Sequence, residues 1–292
     1  MAKQNTVFLY GFVEKLPVVY KDKEGNASHG VMVIDTVRSL RKVGDNLHFT
    51  KHDHPLIISR DSEIMEKMKK LKEFDIVFIK GVISSTSINK SSYCPKCGER
   101  NIAKGNCVYV TPIFVEKLTN CKDKEAATDY IIERMEVSNQ VYLCGTLVNE
   151  PKIFTTLNGK QITQYPIVSE RKYTIKTDDP LVKTDYPIIK SYGEQARNDK
   201  MYLRPGSEVL IDGGLQARTI ERTTKCCKCG EFYHWNDTAM EVITYAVEYL
   251  RNFKTNEEVE KEHQMDIEAY RQMLFGQSDS LPEDLKSNDL KK

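Results

Sequence analysis

The chain has 292 residues, 29% of them charged and 40% apolar, with a formal net charge of +1 at pH 7. That length suits two domains of ordinary size, the composition excludes a disordered or collagen-like chain, and no apolar run is long enough to span a bilayer. The charge balance hides an asymmetry: residues 255–292 carry ten acids against five bases, which leaves the first 254 residues at +6. A basic body with an acidic tail suits a polyanionic partner. MAKQNTVFLYGF lacks the apolar core and small-residue cleavage site of a signal peptide, so the cytoplasm is expected, with no membrane partner. In that compartment the C-x-x-C pairs among the eight cysteines point to metal more than to disulfides.

In chain order, residues 7–13 read as a first strand. Residues 21–25 form a charged turn with Gly25, 31–37 a second strand, 40–53 a loop rich in Arg, Lys and His, and 55–59 a third strand. Ile64, Met68 and Leu71 stand at helical spacing and predict a helix over 63–71. Strands four and five are expected at 75–84 and 108–118. Residues 123–135 predict a helical linker, with Ala127, Ile131 and Met135 on one face. Beyond it, Asn158-Gly159 marks a tight hairpin turn. Residues 186–192 form a β-branched and aromatic strand ended by Gly193. A helix over 194–203 is stopped by Pro205-Gly206. The strand over 207–215 must bend at Gly213-Gly214. A bent strand behind a capping helix closes a small five-stranded Greek-key barrel. Residues 255–274 predict an amphipathic helix with a Thr255-x-x-Glu258 capping box, and the polar end is expected to be disordered.

The two halves repeat each other. NTVFLYG from Asn5 matches NQVYLCG from Asn139, and Ser39-Leu40-Arg41-Lys42 falls on Ser169-Glu170-Arg171-Lys172. HPLIIS from His54 falls on YPIIKS from Tyr186, and DIVFIKG from Asp75 on SEVLIDG from Ser207. CPKCGE from Cys94 falls on CCKCGE from Cys226, and VEKL from Val115 on VEYL from Val247. The last four blocks keep one offset of 132 residues. Chance similarity does not hold one frame across four separated blocks, so this is an internal duplication.

Residues 139–218 resemble the bacterial single-stranded DNA-binding protein family. NQVYLCGTLVNEPKIF resembles its opening strand, TDY…SYGEQA its strand-to-helix block, and RPGSEVLIDGGLQAR its return strand. The resemblance implies a non-catalytic protein with an oligonucleotide-binding (OB) fold. With the duplication, the expected fold is mainly β: two tandem OB barrels of five strands, each with a capping helix and a zinc-knuckle hairpin, plus a C-terminal helix. The first barrel takes residues 1–120 with a knuckle at 94–107, and a helical linker 121–138. The second takes 139–252 with a knuckle at 226–239. The C-terminal helix is expected at 253–276 and a disordered tail at 277–292.

By position in the resembled family, Tyr186 and Tyr192 match two base-stacking aromatics and Tyr173 lies close to a third. Arg171, Lys172, Lys176, Lys183 and Lys190 surround them as cations for phosphates. The alternative is that these tyrosines are half-buried core; Tyr186 and Tyr192 share one strand face, but Ile188 shares it too. In the first half His54 replaces Tyr186 and Arg60 replaces Tyr192, and both still stack. Arg41, Lys42 and Phe49 belong to the matching basic loop. His48, Phe49, His52 and His54 are read either as a metal site or as solvated loop side chains. Trp235, in EFYHW, is read either as stacking on a base or as packing against its knuckle.

C-x-x-C-G turns present two thiolates to one zinc. Cys94, Cys97 and Cys107 are the ligands expected in the first knuckle, and Cys226, Cys229 and His234 in the second. The fourth ligand stays open: Cys121 for the first site, Cys227 for the second, or a ligand lent by the other hairpin. A relic knuckle without zinc is the alternative to all three. The role would be structural, since no acid–base set, nucleophile elbow or phosphate loop appears.

The function expected is sequence-tolerant binding and protection of single-stranded DNA in replication, recombination or transfer, by a monomer or homodimer that meets replication or recombination proteins. Two rivals stand beside it. One is an RNA-binding OB protein, since barrel chemistry alone does not separate the sugars. The other is a replisome or transcription scaffold that docks proteins through the knuckles and the C-terminal helix.

Overall fold

Strand β1, Asn5–Val13, is buried along almost its whole length and anchors the first half. In the computed structural model, which describes residues 4–40, 49–176 and 182–275, it leads into β2 (Val18–Lys21), β3 (Ala27–Leu40), β4 (Phe49–Asp53) and β5 (Leu56–Ser59). Helix α1 (Ser62–Lys69) and the long hairpin of β6 (Asp75–Tyr93) and β7 (Arg100–Asn120) complete the half. β1 pairs with β3 and β6, β3 with β5, β5 in parallel with β7 at Ile57–Val110, and β7 with β6. These pairings close a ring of five strands.

Helices α2 (Lys124–Ile132) and α3 (Met135–Ser138) then lead to β8 (Asn139–Leu147), β9 (Lys152–Thr155), β10 (Gln161–Glu170), β11 (Thr184–Asp185) and β12 (Ile188–Tyr192). Helix α4 (Gly193–Tyr202) precedes a second long hairpin, β13 (Glu208–Lys225) and β14 (Phe232–Arg251). The ring recurs: β8 pairs with β10 and β13, β10 with β12, β12 in parallel with β14 at Ile189–Val242, and β14 with β13. The repeat frame extends to irregularities. Bulges at Ile76/Val77 and Lys80/Gly81 recur at Glu208/Val209 and Asp212/Gly213, 132 residues on. At the second bulge of each pair glycine is required, because a Cβ on Gly81 would meet the Thr111 carbonyl oxygen at 2.6 Å and one on Gly213 would collide with the Ile243 carbonyl.

The halves join along β1 and β8, antiparallel about Val7–Val141, so that one sheet runs through both. A single apolar cluster follows it, with Val7, Leu9, Ile79 and Ile83 continuous with Val141, Leu143, Ile211 and Leu215. At the seam Asn5 exchanges two hydrogen bonds with the Ile83 backbone (2.8 and 2.9 Å), and Asn139 does the same with Leu215 (2.7 and 2.9 Å). Buried polar groups satisfied this way fix register as well as contact.

The capping helices use different chemistry. α1 is capped by Asp61, whose carboxylate accepts the Glu63 and Ile64 N–H groups, and it buries Ile64, Met65 and Met68. α4 buries Ala196 and the carboxylate of Asp199, which accepts from Tyr165, Tyr249, Gln195 and Ser191. The linker helix behaves as its spacing predicts: Ala127 and Ile131 are buried against Tyr10 and Phe12.

Contacts divide the chain into two units, Met1–Phe253 and Lys254–Lys292. The second holds α5 (Asn256–Phe275), which begins with the expected capping box: Thr255 N–H donates to Glu258 (2.8 Å) and Glu258 N–H to the Thr255 hydroxyl (3.3 Å). No helix among the described residues is long and apolar enough to cross a membrane. The structure departs from the sequence reading at several elements: it adds β2, and the helix expected over 123–135 ends at Ile132 before α3. The basic loop at 40–53 ends in a strand, β4, which pairs with β3. Strands four and five run on to their C-x-x-C turns as continuous ladders. The strand expected from Tyr186 starts at Ile188, after Pro187, which has no N–H to give a ladder.

Candidate nucleic-acid interface

On β12 the inward side is sealed: Ile189 and Ser191 are wholly buried. Tyr186, just before the strand, and Tyr192, at its end, are 47% and 38% exposed. The two tyrosines expected to stack thus stand on the solvent side and not in the core. Burial raises the Tyr192 hydroxyl above its ordinary range, so it stays a neutral phenol at working pH.

The cations around them are not all open. Lys190 is buried, and its Nζ lies 2.9 Å from Glu241 Oε2, which Arg218 also grips at 2.9 Å. Burial pushes the Glu241 carboxyl up, but hydrogen bonds from Arg218 and Lys190 outweigh it and hold the group below its usual value. Lys190 therefore braces the strand from beneath, and Arg218, half-exposed, is the cation the structure adds beside Tyr192. Sequence reading missed it because it lies 26 residues downstream, on β13.

Arg171 is likewise structural. It is buried, 2.7 Å from Asp185, and its Nη2 donates to the Val182 carbonyl. Asp185 also accepts the Ser85 N–H of the first half at 2.8 Å. The repeat supplies the mirror of this clasp: Arg38 pairs with Asp53 at 2.7 Å, and Asp53 accepts the Ala217 N–H of the second half at 3.2 Å. Burial pushes both Asp53 and Asp185 up, and the facing arginines oppose it. Lys172 is exposed. Tyr173 is half-buried against the first half, where Lys80 Nζ lies 5.2 Å from its ring centre.

In the first half His54 is 41% exposed at its side chain and pairs with Glu14 at 3.1 Å. His52 pairs with Asp35 at 2.7 Å. Each of these two histidines has its own carboxylate, and neither belongs to a metal-ligand group among the described residues. Arg60 is half-buried just ahead of the Asp61 cap. Arg41, Lys42 and His48, and the side chain of Phe49, lie outside the described residues.

The cysteines rearrange the expected metal sites. Cys94, Cys97, Cys226 and Cys229 form one group with all four sulfurs within 4.8 Å of one another, the only such His, Cys, Asp or Glu group among the described residues. Cys107 is not in it; it sits on the ladder opposite Thr86. His234 is not in it either, and its Nδ1 lies 3.1 Å from the Thr223 hydroxyl. Side chains alternate between the faces of a strand, and Tyr233 and Trp235 face the cluster, so His234 between them faces the other way, while Cys107 lies far along β7 from the turn. Backbone N–H groups of Cys229 and Lys228 directed at Cys226 hold that thiol down, to about 6.

Trp235, partly buried, packs on the cysteine cluster and donates from Nε1 to the Thr224 hydroxyl at 2.9 Å, the contacts that the packing reading describes. The two hairpin tips are alike in their exposed pairs. Tyr93 (64% exposed) pairs across strands with Arg100, and Phe232 (66% exposed) with Lys225. Each tip has one aromatic and one cation, on opposite strands. In the repeat frame Tyr93 falls on Lys225, so the aromatic and the cation exchange strands between the tips.

Residues 138–228 match the single-strand binding protein family. A single-stranded DNA-binding protein of Thermotoga maritima is 26% identical over 147 residues, 50% of this chain and 98% of that protein. Single-stranded DNA-binding protein 1 of Staphylococcus aureus strain Mu50 is 26% identical over 133 residues, 46% of this chain and 78% of that protein. Among solved structures, the wild-type single-stranded DNA binding protein from Thermus aquaticus aligns with a TM-score of 0.50 at 17% identity, covering 87% of this chain and 97% of that one. A deletion mutant of the same protein aligns with a TM-score of 0.51, covering 88% and 100%. At that identity the likeness speaks for the fold alone. The stretch that matches the single-strand binding protein family, residues 138–228, is the one that carries Tyr173, Tyr186 and Tyr192.

Proposed function

We propose that this chain binds and protects single-stranded DNA without sequence preference, as two tandem OB barrels, in replication, recombination or transfer. One observation carries the reading: the family match coincides with two solvent-exposed tyrosines, Tyr186 just before β12 and Tyr192 at its end, the latter beside Arg218. Aromatic faces for bases with cations for phosphates are what a sequence-tolerant single-strand site requires. The repeat of the strand ring supports a second, chemically different site in the first half, where His54 and Arg60 replace the tyrosines. The protein acts by binding and not by catalysis, and a structural zinc belongs to the reading.

Titration of labelled oligo-dT, matched oligo-U and duplex DNA at two salt concentrations tests it. The expected result is preference for oligo-dT, with log K falling against log salt at roughly −0.7 per phosphate contacted. Equal affinity for duplex would contradict the reading, and preference for oligo-U would replace DNA with RNA.

A further inference from the structure

We propose that Cys94, Cys97, Cys226 and Cys229 bind one zinc ion between them, which joins the two long hairpins, in place of a separate ion in each. The two turns are built alike. In the first, Cys94 N–H donates to Glu99 O (2.9 Å), Gly98 N–H donates to Cys94 O (2.9 Å), and Gly98 has φ +70°. In the second, Cys226 N–H donates to Glu231 O (2.8 Å), Gly230 N–H donates to Cys226 O (3.0 Å), and Gly230 has φ +74°. Glycine fits that left-handed turn, and each turn offers two sulfurs on one side. Neither hairpin brings up a third ligand of its own, since Cys107 and His234 lie on the ladders away from the group.

The sulfur separations decide between metal and disulfide. Cys94 and Cys229 are 3.7 Å apart and Cys97 and Cys226 are 3.6 Å apart. A disulfide needs about 2.05 Å. A tetrahedron with zinc–sulfur bonds of about 2.3 Å has edges of about 3.8 Å. Four thiolates with no position left over make a closed, structural site.

The surroundings hold the two turns together independently of the sulfurs. Lys96 pairs with Glu231 at 2.9 Å, and its repeat counterpart Lys228 pairs with Glu99 at 3.5 Å. Ser92 meets the Tyr233 hydroxyl at 2.7 Å, and Asn101 accepts the Cys227 N–H at 2.9 Å. Lower on the hairpins Lys90 and Arg222, equivalent in the repeat, both grip Asp237. The site is therefore preorganised by contacts that cross between the halves. Its ligands come from chain segments more than a hundred residues apart, so the ion closes a long loop and acts as a latch on the hairpin pair.

Elemental analysis and native mass spectrometry of the reduced full chain, prepared without chelator and titrated with zinc, test the proposal. We expect one zinc per chain, lost in Cys97→Ser and Cys229→Ser and kept in Cys107→Ser and His234→Ala. Cobalt substitution is expected to give the intense sulfur charge-transfer and tetrahedral d–d bands of a four-thiolate site, saturating at one equivalent. Chelation is expected to shift the emission of Trp235, the only tryptophan, with no DNA present. Two ions per chain, loss of metal in Cys107→Ser or His234→Ala, iron in place of zinc, or no ion bound by the reduced chain would overturn it. Where Cys97→Ser fails to fold, the cobalt endpoint and the two outlying variants still decide. Metal content is read without DNA, so this result stands or falls apart from the single-strand reading.

Discussion

Tyr192 and Lys190 sit two residues apart on one strand and do opposite work. Tyr192 has solvent on its ring, while Lys190 is closed off by Glu241. Tyr192→Ala is expected to cost about 1–3 kcal/mol of oligo-dT affinity, the usual worth of one base stacked on an aromatic ring, and to leave the melting temperature nearly unchanged. Lys190→Met leaves Glu241 with Arg218 alone; it is expected to destabilise the fold by about 1–3 kcal/mol and to change the salt slope little. Anisotropy titrations and thermal melts on both variants separate the roles. If Tyr192→Ala unfolds the protein and Lys190→Met flattens the salt slope, the assignments are reversed. The outward face was not settled by the sequence: Tyr186 and Tyr192 are an even number of residues apart, but Ile188 and Lys190 share that parity, and Lys190 is buried. The pairing of Lys190 was not legible either, since its partners are on strands that only the ring closure brings alongside. Arg171 was misread for the same reason: a basic residue in a loop reads as solvated until its buried carboxylate is seen.

At the scale of elements, the paired hairpins are the least expected feature. Their strands are polar and carry no core periodicity, so sequence patterning stopped them well short of the turns. What orders them is contact between hairpins, and each such contact joins residues more than 120 positions apart. Asp237 is the centre of one. Burial pushes its carboxyl up, but hydrogen bonds from Lys90 and Arg222 outweigh this and hold it below the usual range. A carboxylate lowered in the folded state adds stability above its unfolded value, about pH 3.9, and loses it as pH falls through the folded value. The expected outcome is that Asp237→Asn lowers the urea midpoint at pH 6 and that the gap to the unaltered protein closes in strong acid. A gap that stays constant from pH 6 to pH 2 would remove Asp237 from the ionic contact. The cysteine cluster belongs to this scale too. Two C-x-x-C-G turns in one frame pointed to metal from the sequence. Only the meeting of the two hairpins brings two cysteines from each turn to one place, with Cys107 and His234 outside the group.

Over the whole molecule, the repeat is the most readable property of the sequence, and the structure carries it into bulges, asparagine clamps and reciprocal Arg–Asp clasps. The two halves are not chemically equal. The strand-three surface has His54 and Arg60 in one half and Tyr186 and Tyr192 in the other, so the second half is expected to stack bases and the first to rely more on charge. The direct measurement is photochemical crosslinking of oligo-dT to the full chain, with the adducts located by mass spectrometry. The account predicts adducts at Tyr186 and Tyr192, a weaker set near His54 in the first half, and loss of the former in a Tyr186→Ala, Tyr192→Ala chain that still melts cooperatively. Adducts confined to α5 or to the hairpin tips, with Tyr186 and Tyr192 untouched at saturating oligo-dT, would contradict it.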